Sequence, residues 1–454
     1  MAKAAQFASK LGLIAATVGS AVGLGNIWRF PAEAQANGGA AFVIIYIICV
    51  FLLGIPVMLA EFSIGRAGRS DAVGAFKNLG AGKGWWAVGA LAILASYLIL
   101  WFYMVVAGWT FEYLMQSITG ALYEPIAGIT DEDSLFSAKM HTYIQTAAGP
   151  LVNTFIVLAL NLVILLFGVQ KGIERMSTIL MPLLFVLLAV FCVVSLTLPG
   201  AADGVAFFLH PDFSKITPAV VLNALGQSFF SLSLGMGILI TYASYFPADT
   251  KLPRTAMTVS VLDLLVAIMM GLIIFPAVTT FGLENHTLEG AALVFITLPE
   301  VFTRMPGTQL WSILFFLLLL VAALTSTLSI AEVSVKFVQD RFKMRRAAAC
   351  AIVLCPLFLT SGVTALSQGP LSHITICGMT IFDFLDFVAT DIFLPLGSIF
   401  LCVYMGWFAP AGLLTGQLDN SNGGKPRLIS RIIALNVRYV APVLIALVFI
   451  TNLL

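Results

Sequence analysis

The sequence predicts an all-α, polytopic membrane protein, and three observations carry that expectation. Of 454 residues, 60% are hydrophobic and 10% charged, with a mean hydropathy of +1.02, whereas a soluble domain carries about 25% charged residues. Eleven apolar stretches are long enough to cross a bilayer, which takes about 20 residues each. Two of them, the first and the sixth, are interrupted by glycines beside polar side chains. A net charge of +1 gives no bulk attraction to nucleic acid. The six cysteines (49, 192, 350, 355, 377 and 402) show neither metal-type nor disulfide-type spacing and read as small apolar residues.

The first stretch, 11–36, contains Gly19-Ser20-Ala21-Val22-Gly23-Leu24-Gly25-Asn26-Ile27-Trp28-Arg29-Phe30-Pro31. Glycine weakens a helix, and Asn and Arg need partners where water is absent. Unwound backbone at membrane depth is tolerated only where it is buried in protein or lines a cavity. This stretch is therefore a broken helix built around something polar, and no cleaved leader is expected ahead of it. The next four spans are 40–65, 85–117, 150–169 and 174–198. The sixth, 217–246, contains Gln227-Ser228-Phe229-Phe230-Ser231-Leu232-Ser233-Leu234 followed by Gly235-Met236-Gly237. Spans 255–283, 309–339, 346–366, 376–406 and 428–451 complete the set. The loops 118–149 and 284–308 are rich in acid and poor in Lys and Arg.

With a cytoplasmic N-terminus, eighteen of the 23 basic residues fall inside. They are Lys3, Lys10, Arg66, Arg69, Lys77, Lys83, Lys171, Arg175, Lys251, Arg254, Lys336, Arg341, Lys343, Arg345, Arg346, Lys425, Arg427 and Arg431. Outside fall Lys139, Lys215 and Arg304, while Arg29 and Arg438 sit in spans. That asymmetry sets the orientation, and eleven spans place the C-terminus outside.

The two interrupted spans lie five helices apart. Because five is odd, the second half is inverted relative to the first. Paired interrupted segments of this kind are the sequence mark of a secondary transporter's site. Close helix packing alone would explain one such segment but not two in register. A single domain, 1–454, is expected: repeat one at about 11–198, repeat two at about 217–406, and an extra helix at 428–451.

These motifs resemble the neurotransmitter:sodium symporter family, in its bacterial amino-acid branch, over essentially the whole chain. The matching residues are Val22-Gly23-Leu24-Gly25-Asn26, Arg29-Phe30-Pro31, Asn37-Gly38-Gly39, Phe230-Ser231-Leu232-Ser233-Leu234-Gly235 and Leu324-Thr325-Ser326. The resemblance implies the leucine-transporter-type fold, a 5+5 inverted repeat with helices 1 and 6 broken, in a bacterial inner (plasma) membrane. It implies sodium-coupled symport of a hydrophobic L-amino acid into the cell by alternating access, with the lipid bilayer as surroundings and no oligomer required.

Two sodium ions are implied. Sodium is a hard cation that takes oxygen ligands. By resemblance the first ion uses the Ala21 carbonyl, Asn26, Ser231, Asp263 and the substrate's carboxylate. The second uses the carbonyls of Gly19, Val22 and Ala322 with the hydroxyls of Thr325 and Ser326. The family usually has asparagine where this chain has Asp263. In chloride-dependent members the anion lies near positions matching Tyr46, Gln227, Ser231 and Asp263. Some chloride-independent members place a glutamate one turn further along, where this chain has Ala267. A fixed carboxylate at Asp263 would offset the charge of two sodium ions in a low-dielectric pocket, so no chloride requirement is expected. A carboxyl there that takes a proton when sodium leaves would couple a proton to the return step.

For the substrate, the resemblance implies that the Gly23–Gly25 turn and the Tyr103 hydroxyl hold the carboxylate, since exposed helix N-termini suit anions. Carbonyls around Ala21, Phe230 and Ser233 would hold the amine. Monoamine members carry aspartate where this chain has Gly23, which points to a substrate bringing its own carboxylate. Ile99, Phe230, Met236, Ser326 and Ile330 would set side-chain preference. None is charged, so charged amino acids are expected to be rejected, and the range to be broad, branched and aromatic.

The resemblance also implies gates. Outside, Arg29 would pair with Asp386, with Asp383 and Asp391 as competitors, over a lid of Tyr103 and Phe230. Inside, Asp340 matches the family's aspartate, Lys3 stands nearest its arginine partner, and Phe7 takes the place of a tryptophan plug. Gly172 and Pro182 frame the start of the fifth span and would let it unwind. A membrane-embedded enzyme is disfavoured, because all four histidines fall in loops and no His-Glu-x-x-His occurs. The standing alternative is a non-transporting, sodium-dependent amino-acid sensor on the same fold.

Overall fold

The computed structural model describes residues 6–80, 82, 84–126, 132–282, 292–420 and 426–453, without the side chains of 132–134 and 452–453. Among the described residues it is helical, apart from turns and one two-stranded hairpin. Among the described residues nine continuous helices are long and apolar enough to cross a membrane: Ala40–Gly68, Trp86–Thr119, Ala148–Leu166, Val169–Leu196, Leu252–Phe281, Thr308–Phe342, Arg346–Leu366, Ile381–Phe408 and Leu428–Thr451. They correspond to the second to fifth and seventh to eleventh expected spans.

The other two expected spans are broken. In the first, Lys10–Ala21 and Gly25–Ala36 meet at a 55° bend. In the sixth, Pro218–Ser231 and Ile238–Ser244 are each too short to cross alone. Between them Ser233, Gly235 and Gly237 adopt φ values of 53°, 80° and 71°. A left-handed serine costs energy that glycine does not. Ser233 meets that cost by donating to the Ser20 carbonyl at 2.8 Å, so each break holds the other.

Several boundaries differ from expectation for local reasons. Gly168, at φ 83°, separates the fourth span from the fifth, which therefore starts at Val169 instead of 174. The tenth starts at Ile381 instead of 376, because Thr375–Ile376 pairs with Met379–Thr380 across a Cys377-Gly378 turn. Both turn residues have positive φ, as a tight hairpin needs. The loop expected at 284–308 contains a short apolar helix, Leu293–Thr303. Its Leu293, Val294, Phe295 and Leu298 are buried, so it packs into the protein rather than crossing.

Candidate functional site

The two breaks meet beside a cavity of about 470 Å³. The ten residues expected around a substrate all line it: Ala21, Gly23, Gly25, Ile99, Tyr103, Phe230, Ser233, Met236, Ser326 and Ile330. Gly23 has no room for a side chain, since a Cβ there would lie 2.7 Å from Ser326 Oγ and 2.9 Å from Tyr103 Oη. At Gly25 a Cβ would lie 2.6 Å from the Phe230 ring. The Leu24 N–H donates to Tyr103 Oη at 3.1 Å, which ties the third span to the first break.

Beneath the cavity lies a fully buried polar cluster. Asp263, 0% exposed in the seventh span, accepts from Ser231 Oγ at 2.6 Å, Asn26 Nδ2 at 2.8 Å and Tyr46 Oη at 3.5 Å. Tyr46 Oη also donates to Ser231 Oγ at 2.9 Å. Asn26 Nδ2 reaches the Asp263 carbonyl and Ser231 Oγ as well, at 3.2 and 3.1 Å. Its Oδ1 is buried with no hydrogen-bond partner among the described residues. A buried acceptor normally has a partner, so an unused amide oxygen beside a carboxylate and a serine fits a cation.

The second donor group is neutral. Thr325 Oγ1 donates back to the Val321 and Ala322 carbonyls at 3.1 and 3.0 Å, and Ser326 Oγ lies 3.5 Å from the Val22 carbonyl. A Cβ on Gly19 would sit 3.2 Å from Thr325 Cβ. The expected carbonyl and hydroxyl residues thus face each other across the first and eighth spans.

Above the cavity the wall is open, with Ala36 exposed at its rim. Arg29 and Asp386 line it from facing elements but form no ion pair. Arg29 Nε lies 3.9 Å from Glu33, and its guanidinium sits 4.7 Å above the Phe230 ring. The expected Arg29–Asp386 gate is therefore not made in this conformation, because the vestibule separates its two halves and Glu33, one turn along, is nearer.

The opposite face is shut. Phe7 is 4% exposed, with its ring edge-on to Tyr242 and Tyr245 at 5.8 and 6.1 Å. Glu174, at the start of the fifth span, accepts from the Ala8 and Ser9 amides and from Ser9 Oγ at 2.8–3.0 Å. Asp340 pairs with Lys336 Nζ at 3.0 Å and accepts from the Asp71 amide at 3.0 Å. Lys3, the expected partner, lies outside the described residues. Burial raises the neighbouring Asp71 carboxyl above its usual range. Arg346 grips the buried Glu332 at 2.9 and 2.6 Å, and Tyr245 Oη donates to the same carboxylate at 2.6 Å. Gly172 and Pro182 stand within a continuous helical stretch, so the fifth span is wound here.

Sequence reasoning missed Glu61, Glu174 and Glu332. Glu61 accepts from the Gly235 amide at 2.7 Å and thereby holds the sixth-span break. A lone acid in an apolar span signals a partnered site, the argument already applied to Asp263, and it would have found Glu61 and Glu332.

A family model described as the sodium:neurotransmitter symporter family matches residues 4–126 and 135–454. An uncharacterized sodium-dependent transporter of Bacillus subtilis (strain 168), YhdH, is 36% identical over 452 residues, 98% of this chain and 97% of the relative. Another, from Haemophilus influenzae, is 35% identical over 457 residues and covers 98% of each. The crystal structure of MhsT in complex with L-phenylalanine matches with a TM-score of 0.88 and 41% identity, covering 99% of both chains.

Proposed function

The chain belongs to the sodium:neurotransmitter symporter family, and on that premise we propose that it carries hydrophobic, branched and aromatic L-amino acids into the cell with sodium. It is a multi-pass, sodium-coupled transporter and not an enzyme. Our reading adds chloride independence, two sodium sites, the cytoplasmic N-terminus and the bacterial plasma membrane.

The Asp263 cluster carries the reading. Asn26 Oδ1, Ser231 Oγ, the Asp263 carboxylate and the Ala21 carbonyl supply oxygen for one sodium. The Thr325 and Ser326 hydroxyls, with the Gly19, Val22 and Ala322 carbonyls, supply it for the other. One carboxylate against two cations and a zwitterion leaves a single net positive charge where chloride would otherwise be needed. The MhsT structure holds L-phenylalanine, which supports a large apolar side chain as the guest of this cavity too. Ile99, Met236 and Ile330 offer it no charge, while bare Gly23 leaves room for the substrate's carboxylate near the Leu24 amide and Tyr103.

In the transport cycle, sodium organises the two breaks before substrate completes the first ion's shell. Closure then requires Arg29 to leave Glu33 for Asp386 over the Tyr103–Phe230 lid. Release inward requires the Phe7 plug and the Glu174 bonds to let go and the Gly172–Pro182 stretch to unwind. The test is uptake of radiolabelled leucine and tryptophan into proteoliposomes, with an inward sodium gradient against a potassium control. Accumulation above the equilibrium level supports symport. Sodium-dependent binding without accumulation would establish the sensor alternative instead.

A further inference from the structure

A second cavity, of about 560 Å³, lies apart from the transport pathway where the tenth span ends against the eleventh. Two π-helical turns meet there, Tyr404–Phe408 and Asn436–Val440, and such turns often mark functional positions. A Cβ on Gly406 would lie 2.9 Å from Arg438 Cα, so the two backbones touch. Arg438 and Arg431, seven residues apart, both line the cavity.

The anomaly is Arg438. It sits within an apolar span with its guanidinium 5.5 Å from the Trp407 ring centre and 5.2 Å from that of Tyr439. Its Nε is buried and makes no hydrogen bond. Among the described residues neither Arg431 nor Arg438 pairs with a carboxylate. Asp419, on the adjoining short helix, is engaged by Arg427 at 4.0 Å, the Arg427 amide at 3.0 Å and Ser430 Oγ at 2.7 Å. A cationic side chain inside a span almost always has a partner, and among the described residues Arg438 meets the two rings of Trp407 and Tyr439.

The surface around the cavity identifies the missing anion. Phe408, Ile432, Leu435 and Tyr439 are 51–57% exposed there, and such side chains in a span face hydrocarbon. An anion held there meets apolar surface beside its binding groups, which suits a headgroup carrying acyl chains. We propose that this cavity binds the phosphodiester headgroup of an anionic phospholipid, with Arg438 as the deep donor and Arg431 at the rim. Guanidinium forks match phosphate oxygens bidentately. On the proposed orientation the cavity faces the cytoplasmic leaflet, where basic pockets between spans take anionic headgroups.

Native mass spectrometry of the delipidated full chain, titrated with phosphatidylglycerol or phosphatidylcholine, tests this. The wild type is expected to retain one phosphatidylglycerol under activation that strips phosphatidylcholine. The Arg431→Gln/Arg438→Gln variant should bind it about tenfold more weakly or worse, the value of a lost charge-assisted hydrogen bond. Millimolar inorganic phosphate should leave the adduct in place. Equal retention of the two lipids by the wild type would overturn the proposal even if the variant failed to fold. Undiminished retention by a folded variant would overturn it too, and displacement by phosphate would reassign the cavity to a free anion.

Discussion

The two faces of the transport pathway are closed by different means. The face with Phe7 is sealed by three aromatic rings, a doubly bonded Arg346–Glu332 pair and the Glu174 bonds to the chain start. Among the described residues, the face with Arg29 shows a 3.9 Å ion pair to Glu33, whose carboxylate also accepts from Asn37 Nδ2 at 3.0 Å, and a ring contact, around an open cavity. The lesson is that the sealed side rests on buried, multiply bonded groups and the open side on half-exposed ones that exchange partners at little cost. A conformation built this way is poised to receive ligand from the Arg29 side.

The contrast is broken most severely at Glu332. Glu332→Gln removes the fully buried carboxylate that compensates Arg346, whose side chain is only 17% exposed, and losing one partner of such a pair costs roughly 3–5 kcal/mol. A thermal melt of the purified variant should show a large loss of stability, and an unchanged midpoint would remove the ion pair from the seal. Phe7→Ala comes next. Losing a buried phenylalanine costs about 3 kcal/mol, here from the shut conformation alone, so the variant should open more often. Amide hydrogen exchange over Ser9–Leu13 should accelerate about a hundredfold, and unaltered protection would show that the ring is not a plug. Arg29→Gln should matter least for stability, within about 1 kcal/mol, because half-exposed pairs contribute little. It should nonetheless slow uptake, because the outer closure loses its cation. A melt as damaged as that of Glu332→Gln would erase the difference between the faces.

Much of this was legible in the sequence, for identifiable reasons. Both breaks announced themselves because glycines beside polar side chains interrupt two apolar stretches in register, which close helix packing alone does not explain. Asp263 stood out as a lone carboxylate in its span. The residues expected around the substrate line one cavity because breaks fix which turn faces the centre. The partners of Glu174 and Glu61 were not legible, since Ser9 and Gly235 lie 165 and 174 residues away. Nor was the Leu293–Thr303 helix, because a short apolar run carries no mark that separates packing into the protein from spanning it. The Arg29–Asp386 pairing belongs to a closed state, and the sequence cannot say which state a chain adopts.

The role given to Asp263 is the centre of the account, and ion replacement tests it directly. Sodium-driven uptake would be measured in chloride and in gluconate, for the wild type and for Asp263→Asn. The account predicts equal uptake by the wild type in both media, and uptake by the variant that recovers only as chloride is supplied. Wild-type uptake that collapses in gluconate would contradict it.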